Sequence, residues 1–440
     1  MFWAYALPIV LLPNTLHLPA DVGMATSLAL LACATIFGSR DPPGFPRTSY
    51  LLPPLTGLFL ALLLGYVIAQ WHDASTAGAD LVQAKYAIIY PLLYLAYRHC
   101  GLDPGATRNL IVLALVVAAA AGLEAVFQGL QFDLREFSDQ QRATGPFGEV
   151  TAANRAGVFF AIFLPMLAAL ALQPGCRRTV RLLALSGSLI LVAAILFTFS
   201  RQSYLIAVLG ILLLLIHRGV PKAVLALVLI AGAGAILLPE SALQRMEETR
   251  QVGMGGAQAF DGSTASRLEL WRGSLAMLAD HPAGVGLGRF GDHIGEYTGF
   301  PGKDAHNGFV LMLAECGPFG LAMMLWLVWR LLALTHRLRA TARSLAWPEA
   351  HALAVGSTVA VVCMAAGNLF GSPFFSALVM NSFWVLCGLV ERYGTALACA
   401  AKPRAPDARP GHLTGIEPRF PLAARALPGF RAAHHARSRE

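Results

Sequence analysis

The chain has 440 residues, of which 56% are apolar and 13% are charged, and its mean hydropathy is +0.59. Because soluble proteins carry about 25% charged residues, this composition excludes a soluble globular domain and predicts a membrane protein with many spans. The net charge of +8 does not indicate nucleic-acid binding, because most basic residues flank apolar runs or lie near the C-terminus.

The residue pattern predicts neither a disulfide framework nor a metal site. The seven cysteines are odd in number and scattered, and none lies between residues 177 and 315. Metal sites of cysteine and histidine require their ligands at short, regular spacings, which this sequence lacks. We therefore expect a protein without a metal ion or other cofactor.

Separate apolar runs predict an all-α integral membrane protein with about twelve spans, since one span requires about 20 apolar residues. The first run is short and contains Pro8 and Pro13, so its span is the least secure. The predicted spans cover residues 2–17, 22–38, 50–70, 81–97, 110–129, 152–172, 182–199, 203–217, 223–238, 308–332, 350–371 and 374–394.

Loop charge predicts the orientation of these spans. Basic residues such as Arg98, Arg177 and Arg330 fall in alternate loops, which the positive-inside rule places in the cytoplasm together with both termini. The loops at 130–151 and 239–307 then face outward. We expect one transmembrane domain over residues 1–394. The basic tail at 395–440 lacks apolar periodicity and is predicted to be disordered.

A short helix is predicted within the long outer loop, from about residue 267 to 279. Ser266 and Glu269 have the spacing of a capping box at its start. Its predicted apolar face consists of Leu268, Trp271, Leu275 and Leu278. Arg267 would lie in the first turn, where the helix dipole favours anions.

Four basic residues are candidates for binding an anion at the outer edge of the membrane. Arg201 lies in a tight turn between two apolar runs, and Arg267 and Arg142 lie in the two outer loops. A guanidinium group matches phosphate oxygens with two parallel hydrogen bonds. Lys85, near the start of a span, is the fourth candidate. For each residue the alternative is a surface cation, or one that extends to the lipid headgroups.

His306 and Asn307 stand where the long outer loop meets an apolar run. An unperturbed histidine titrates near neutral pH and can accept a proton from a hydroxyl group. The alternative role for His306 is a hydrogen-bonded residue of the interface. Glu315 lies nine residues further on, about half a helical turn out of phase, so a buried structural role is expected. Gly317 and Gly320 flank Pro318 and predict a bend in the helix.

The segment Gly286-x-Gly288-x-x-Gly291 has the letters of a dinucleotide-binding fingerprint. We reject that function, because no strand precedes the segment and no βαβ unit surrounds it. The glycines instead predict a tight turn in which the backbone closely approaches a ligand or the helix bundle.

Taken in chain order, these motifs resemble the O-antigen ligase and polymerase superfamily of bacterial membrane glycosyltransferases. The resemblance covers residues from about 140 to 320, and it ends with His306-Asn307 followed by Gly317-x-x-Gly320. It implies a GT-C-like bundle and a glycan donor linked to undecaprenyl diphosphate outside the inner membrane. It also implies that Arg201 and Arg267 hold the diphosphate, with Arg142 and Lys85 as further contacts, and that His306 assists the acceptor.

The function predicted on this basis is that of an O-antigen ligase in the inner membrane. It would transfer glycan to the lipid A core at the periplasmic face, without a metal and with inversion of the anomeric centre. An O-antigen or exopolysaccharide polymerase and a protein O-oligosaccharyltransferase are alternatives of the same class. A membrane transporter or lipid flippase is the alternative of another class, although that function favours charges near mid-membrane.

Overall fold

The computed structural model describes residues 2–37, 41, 45–72, 89–132, 141–219, 250–252, 258–260 and 262–401. The predicted span 223–238, Lys85 and residues 402–440 therefore lie outside the described residues, as does part of the predicted span 81–97.

Helices make up most of the described chain, together with one small antiparallel hairpin. The helices are α1 (Phe2–Leu11), α2 (Ala20–Phe37), α3 (Leu52–His72), α4 (89–98), α5 (Pro104–Gly129), α6 (Ala153–Leu172), α7 (Arg178–Phe197), α8 (Arg201–Arg218), α9 (Gly262–Asp280), α10 (Phe290–Ile294), α11 (Gly308–Ser344), α12 (Pro348–Leu369) and α13 (Ala377–Ala401). Strands β1 (Arg250–Val252) and β2 (Gln258–Phe260) pair with Gln251 opposite Ala259.

The predicted all-α membrane class is confirmed. Six of the described helices, α3, α5, α6, α7, α11 and α12, are long and apolar enough to cross a membrane, with α6 extended by its preceding turn. Shorter apolar helices cover Phe2–Leu11, Val22–Phe37 and Arg201–His217. A membrane-spanning helix satisfies all its backbone groups internally, which explains why apolar runs of this kind fold as helices.

The bundle has two ends, which we name by α11. The His306 end is where α11 begins, and the opposite end is where α11 finishes at Ser344. Helix α8 begins at the His306 end and finishes at the opposite end, where His217 contacts Arg339 of α11. Helix α6 is buried along most of its length and packs against α7, α8 and α12.

Several helix boundaries differ from the predictions, and three of the differences change the interpretation. Helix α9 begins at Gly262 and not near 267, so Ser266 lies inside the helix and the predicted capping box is wrong. Helix α11 continues beyond residue 332 to Ser344. Its last turns contain basic residues, whose long side chains allow the helix to extend beyond the apolar run. Helix α13 ends at Ala401, within the segment predicted as a disordered tail.

The predicted apolar face of α9 is also wrong in part. Leu268 and Leu275 are exposed, whereas Leu270, Ser274 and Met277 are buried. Leu270 and Met277 belong to a small second core that joins α9, α10 and the first turns of α11. The predicted face was therefore wrong at Leu268 and Leu275, because contact with α10 and α11 decided which side of α9 is covered.

Candidate functional site

The bend predicted in α11 is found at Gly317, which has φ 66° and ψ −172°. The bend and the missing N–H of Pro318 leave carbonyl groups without their usual helical partners. The glycine-rich loop fills this gap, since Val285 N donates to Ala314 O at 2.9 Å and Gly286 N donates to Glu315 O at 3.1 Å. The sequence predicted that this loop closely approaches either a ligand or the helix bundle, and the structure shows that it approaches the bundle.

Tight packing explains the glycines of this loop. A Cβ added to Gly284 would lie 2.5 Å from Glu315 O, and one added to Gly286 would lie 2.6 Å from Ala69 Cα in α3. Both glycines also have positive φ. The loop is consequently clamped between α3 and the bend of α11.

Glu315 is buried and turned toward this loop. Its Oε1 accepts a hydrogen bond from Phe290 N at 3.4 Å, and Oε2 has no hydrogen-bond partner among the described residues. The expected structural role of this acid agrees with its position beneath α10. Gly320 packs closely on the preceding turn, where an added Cβ would lie 2.5 Å from Cys316 Cβ.

The residues that precede α8 and α11 have the same backbone conformation. His306 has φ 49° and is followed by Asn307 in an extended conformation, after which α11 begins. Phe199 has φ 47° and is followed by extended Ser200, after which α8 begins at Arg201. A non-glycine residue with such a φ is strained, so the surrounding structure must hold both turns in place.

Side chains stabilise both helix starts. Asn307 Oδ1 accepts hydrogen bonds from Phe309 N at 3.0 Å and Val310 N at 3.2 Å, which makes Asn307 an N-cap. Ser200 is buried and accepts a hydrogen bond from Ser203 Oγ at 2.9 Å. The residue that follows this buried serine is Arg201, which is half-buried.

The turn between α12 and α13 joins the two helix starts. Gly371 O accepts a hydrogen bond from Gly308 N at 2.8 Å. On the other side, a Cβ added to Gly371 would lie 3.6 Å from Gln202 Oε1. Because Gln202 follows Arg201 and Gly308 follows Asn307, this turn brings the predicted donor-binding arginine and the predicted base to one end of the bundle.

Helix α9 places Arg267 near the same point. Trp271 Nε1 donates to Ala305 O at 2.9 Å, and Arg267 precedes Trp271 by one helical turn. The charge of Arg267 acts on the imidazole of His306. Since α9 begins at Gly262, Arg267 lies in the second turn and not the first, so its position depends on the contact with residue 305 and not on the helix dipole.

The environment of His306 favours the neutral imidazole. Burial lowers the pKa of His306 below its ordinary value of 6.5, and the charges of Arg267 and Lys303 lower it further. Asp304 has the opposite effect on this pKa, with its Oδ2 3.9 Å from His306 Nδ1. A neutral imidazole can accept a proton, so this arrangement is suited to general-base chemistry.

Asp304 and Ser372 were missed by the sequence analysis. Ser372 Oγ donates to Asp304 Oδ2 at 2.8 Å, which orients the carboxylate beside His306. An aspartate two residues before the histidine was a signal in the sequence, but its partner lies 68 residues further on. Only the packing of the α12–α13 turn against α11 brings them together.

Arg142 has a well-defined place next to the Arg201 turn. Its Nε donates to Thr198 O at 2.9 Å, and its NH2 donates to Asn154 Oδ1 at 2.6 Å. These contacts connect the 141–152 segment and α6 to the turn that precedes α8. Arg142 therefore supports the position of Arg201, and its predicted contact with a diphosphate stays a prediction.

Among the described residues there is no group of three or more His, Cys, Asp or Glu side chains placed to hold a metal ion. The site described above instead combines two arginines, a histidine and a carboxylate at an open end of the bundle.

Comparison with known proteins supports the family. Residues 186–325 match the family model described as O-Antigen ligase. The matched segment includes Arg201, Arg267 and His306 as well as the bend at Gly317, and it excludes Lys85 and Arg142. No curated protein matches the chain. The match does not separate ligases from polymerases, but over residues 186–325 it supports the resemblance to the O-antigen ligase and polymerase superfamily found in the sequence.

Proposed function

We propose that this protein is an O-antigen ligase, which transfers glycan from undecaprenyl diphosphate to the lipid A core at the periplasmic face of the inner membrane. The observation that carries the proposal is the meeting of Arg201, Arg267 and His306 at one end of the bundle, where Gly371 lies between the starts of α8 and α11. The match to the O-Antigen ligase family model over these residues supports it.

In the proposed reaction, the bond between the anomeric carbon of the glycan and the diphosphate oxygen breaks. Negative charge then develops on the phosphate oxygens, and Arg201 and Arg267 stabilise it by charge-assisted hydrogen bonds. Arg142 supports the Arg201 turn from behind through Thr198. Lys85 stays a predicted further contact with the donor.

The acceptor hydroxyl attacks the anomeric carbon from the face opposite the diphosphate, which inverts the configuration. Its proton passes to His306, whose lowered pKa keeps the imidazole neutral near pH 7. Asp304 lies beside Nδ1 and stabilises the imidazolium that forms. The proton is then released to water, which returns His306 to its neutral form.

The test is transfer of glycan by the full-length protein in proteoliposomes, with an undecaprenyl-diphosphate-linked donor and a lipid A core acceptor. Arg201→Gln should lower the transfer rate by about 10²–10³, the usual effect of removing one stabilising donor. Arg201→Lys should also be impaired, because lysine lacks the planar fork. The matched control is Arg155→Gln, since Arg155 is an exposed arginine near the same end. Equal rates for Arg201→Gln and the control would contradict the proposal.

The choice between ligase and polymerase is tested in a deletion strain. A ligase predicts that all long-chain lipopolysaccharide is lost while lipid-linked polymer accumulates and the core stays intact. A core carrying a single repeat unit would show that the protein is a polymerase. Transfer is also expected to continue in EDTA, because arginines and not carboxylates are assigned to the diphosphate. A rate restored by magnesium or manganese would contradict that assignment.

A further inference from the structure

We propose that the opposite end of the bundle carries a second binding site, for the phosphate group of an anionic phospholipid. Arg339 and Arg343 of α11 form this site together with His217 of α8 and His351 of α12. The inference does not depend on the proposed function, because it concerns the other end of the molecule.

A cavity of about 300 Å³ lies between the ends of α6, α8 and α12. One side of this cavity is polar and is lined by His217, His351 and Gln173, whereas the other side is apolar. The aliphatic and proline residues are Ala169, Leu172, Pro174, Leu214, Ala352 and Val355. The cavity is large enough for a phosphate with its glycerol group, and its apolar wall fits the start of an acyl chain.

Two arginines hold the two histidines at the polar side. Arg339 NH2 lies 3.2 Å from both ring nitrogens of His217. Arg343 Nε donates to His351 Nε2 at 3.3 Å. The two imidazole rings are 6.2 Å apart, so the two guanidinium groups and both rings form one cluster beside the cavity.

Arg339 and Arg343 bring two positive charges to this cluster. Each described carboxylate at this end has another partner, and the four pairs are Asp41 with Arg392, Asp103 with Gly105 N, Glu349 with Arg108 and Glu391 with Arg98. The side-chain hydrogen bonds of Arg339 and Arg343 within the described part of the chain are with imidazoles instead. A bound anion would therefore complement the charge of the two arginines.

The arrangement of the two arginines strengthens this argument. They are four residues apart on α11, a spacing at which like charges repel one another. Arg339 Nε is buried and has no hydrogen-bond partner among the described residues. A bound phosphate would relieve the repulsion and supply an acceptor, because guanidinium groups bind phosphate oxygens in pairs.

The position favours a lipid over a soluble anion. The cavity lies where spans end, and its apolar walls continue to Leu172, which is 43% exposed. Loop charge predicts that this end faces the cytoplasm, where basic pockets between membrane helices bind anionic headgroups. A free phosphate would use only the polar side of the cavity, whereas a phospholipid would use both.

The experiment measures lipid binding to the purified full-length protein by native mass spectrometry, with phosphatidylglycerol titrated against phosphatidylcholine. The wild-type protein should retain one phosphatidylglycerol molecule in preference to phosphatidylcholine. The double variant Arg339→Gln, Arg343→Gln should bind it about 30-fold more weakly, since each basic residue near a membrane surface contributes about a fivefold factor. The matched control is Arg177→Gln, Arg178→Gln, which removes two exposed charges at the same end and should bind as wild type does.

A second variant keeps every charge and fills the cavity. Val355→Phe should also weaken phosphatidylglycerol binding, even if the double arginine variant does not fold. Retention of the lipid by both variants at the wild-type level would overturn the proposal. Inorganic phosphate that competes as effectively as phosphatidylglycerol would also overturn it, because the site would then be specific for a soluble anion.

Discussion

At the opposite end of the bundle, Arg98 and Arg392 are each 1% exposed and lie 2.6 Å from the carboxylates of Glu391 and Asp41. At the His306 end, the side chains of His306 and Asp304 are 46% and 42% exposed, and their closest charged atoms are 3.9 Å apart. One region therefore has tight ion pairs with buried arginines, and the other has a loose contact that water reaches.

The two regions are suited to different tasks because they differ in burial and in the distance between charges. A buried charge is tolerated only with a close partner of opposite sign, so the Arg98–Glu391 pair fixes how α13 packs on α4. A loose and accessible contact costs little to rearrange. His306 and Asp304 can consequently change protonation and adjust to a substrate without disrupting the fold.

The largest effect is expected at the accessible end. His306→Ala should lower the transfer rate by about 10²–10⁴, because it removes the proposed general base. Donor binding should persist, since the proposed role of His306 concerns the acceptor. The measurement is single-turnover transfer together with donor binding in proteoliposomes. His336→Ala, at an exposed histidine of the opposite end, is the control. A near-normal transfer rate in His306→Ala would refute the role as a base.

The second prediction concerns the buried end. Glu391→Gln should lower the free energy of unfolding by about 3–5 kcal/mol, because it leaves Arg98 buried without its carboxylate. The measurement is denaturant unfolding in detergent micelles. Glu349→Gln breaks the Arg108–Glu349 pair, in which Arg108 is 46% exposed, and should cost at most about 1 kcal/mol. Equal losses in the two variants would show that burial does not distinguish these pairs.

The third prediction tests how the glycine-rich loop supports the His306 end. Gly286→Ala should destabilise the protein by about 1–3 kcal/mol, because φ is +103° and the new Cβ would lie 2.6 Å from Ala69 Cα. Gly302→Ala is the matched control. Its φ is +71°, but nothing lies within 4 Å of an added Cβ, so it reports backbone strain alone. A Gly286→Ala loss no greater than that of Gly302→Ala would contradict the proposed clamp between α3 and α11.

The smallest effect is a shift in pH dependence. The pKa of His306 is lowered, so the neutral imidazole persists below pH 6.5. The acid limb of the pH profile, where kcat/KM for transfer falls on acidification, should therefore lie below that value. Lys303 lowers this pKa and Asp304 raises it. Lys303→Gln should therefore move the acid limb to higher pH, and Asp304→Asn should move it to lower pH. Shifts in the same direction, measured from kcat/KM against pH, would contradict the assignment.

Some of the site was predictable because its signals are local. The apolar run after His306, the N-capping residue Asn307 and the bend at Gly317 are all encoded within a few residues of one another. The helix start and the bend lie where they were predicted, since helix starts and bends depend on nearby backbone chemistry. The capping role of Asn307 was found in the structure. The order of the motifs along the chain was sufficient to find the resemblance, which the match to the O-Antigen ligase family model over residues 186–325 supports.

Other features could not be predicted, because they depend on residues that are distant in sequence. The apolar run at 374–394 contains Glu391 and Arg392, but their partners Arg98 and Asp41 lie 293 and 351 residues earlier. The buried side of α9 was also missed, because it depends on contact with α10 and α11 and not on which residues are most apolar.

Hydropathy and motif order act over short distances, so they were enough to predict a helical membrane protein, the starts of α8 and α11, and the resemblance to a superfamily. Three contacts depend instead on long-range packing: the turn at Gly371 joins the starts of α8 and α11, Ser372 orients Asp304 beside His306, and Trp271 holds Arg267 near them. These contacts form only when helices far apart in the chain pack together, since side-chain hydrogen bonds require atoms within about 3 Å of each other.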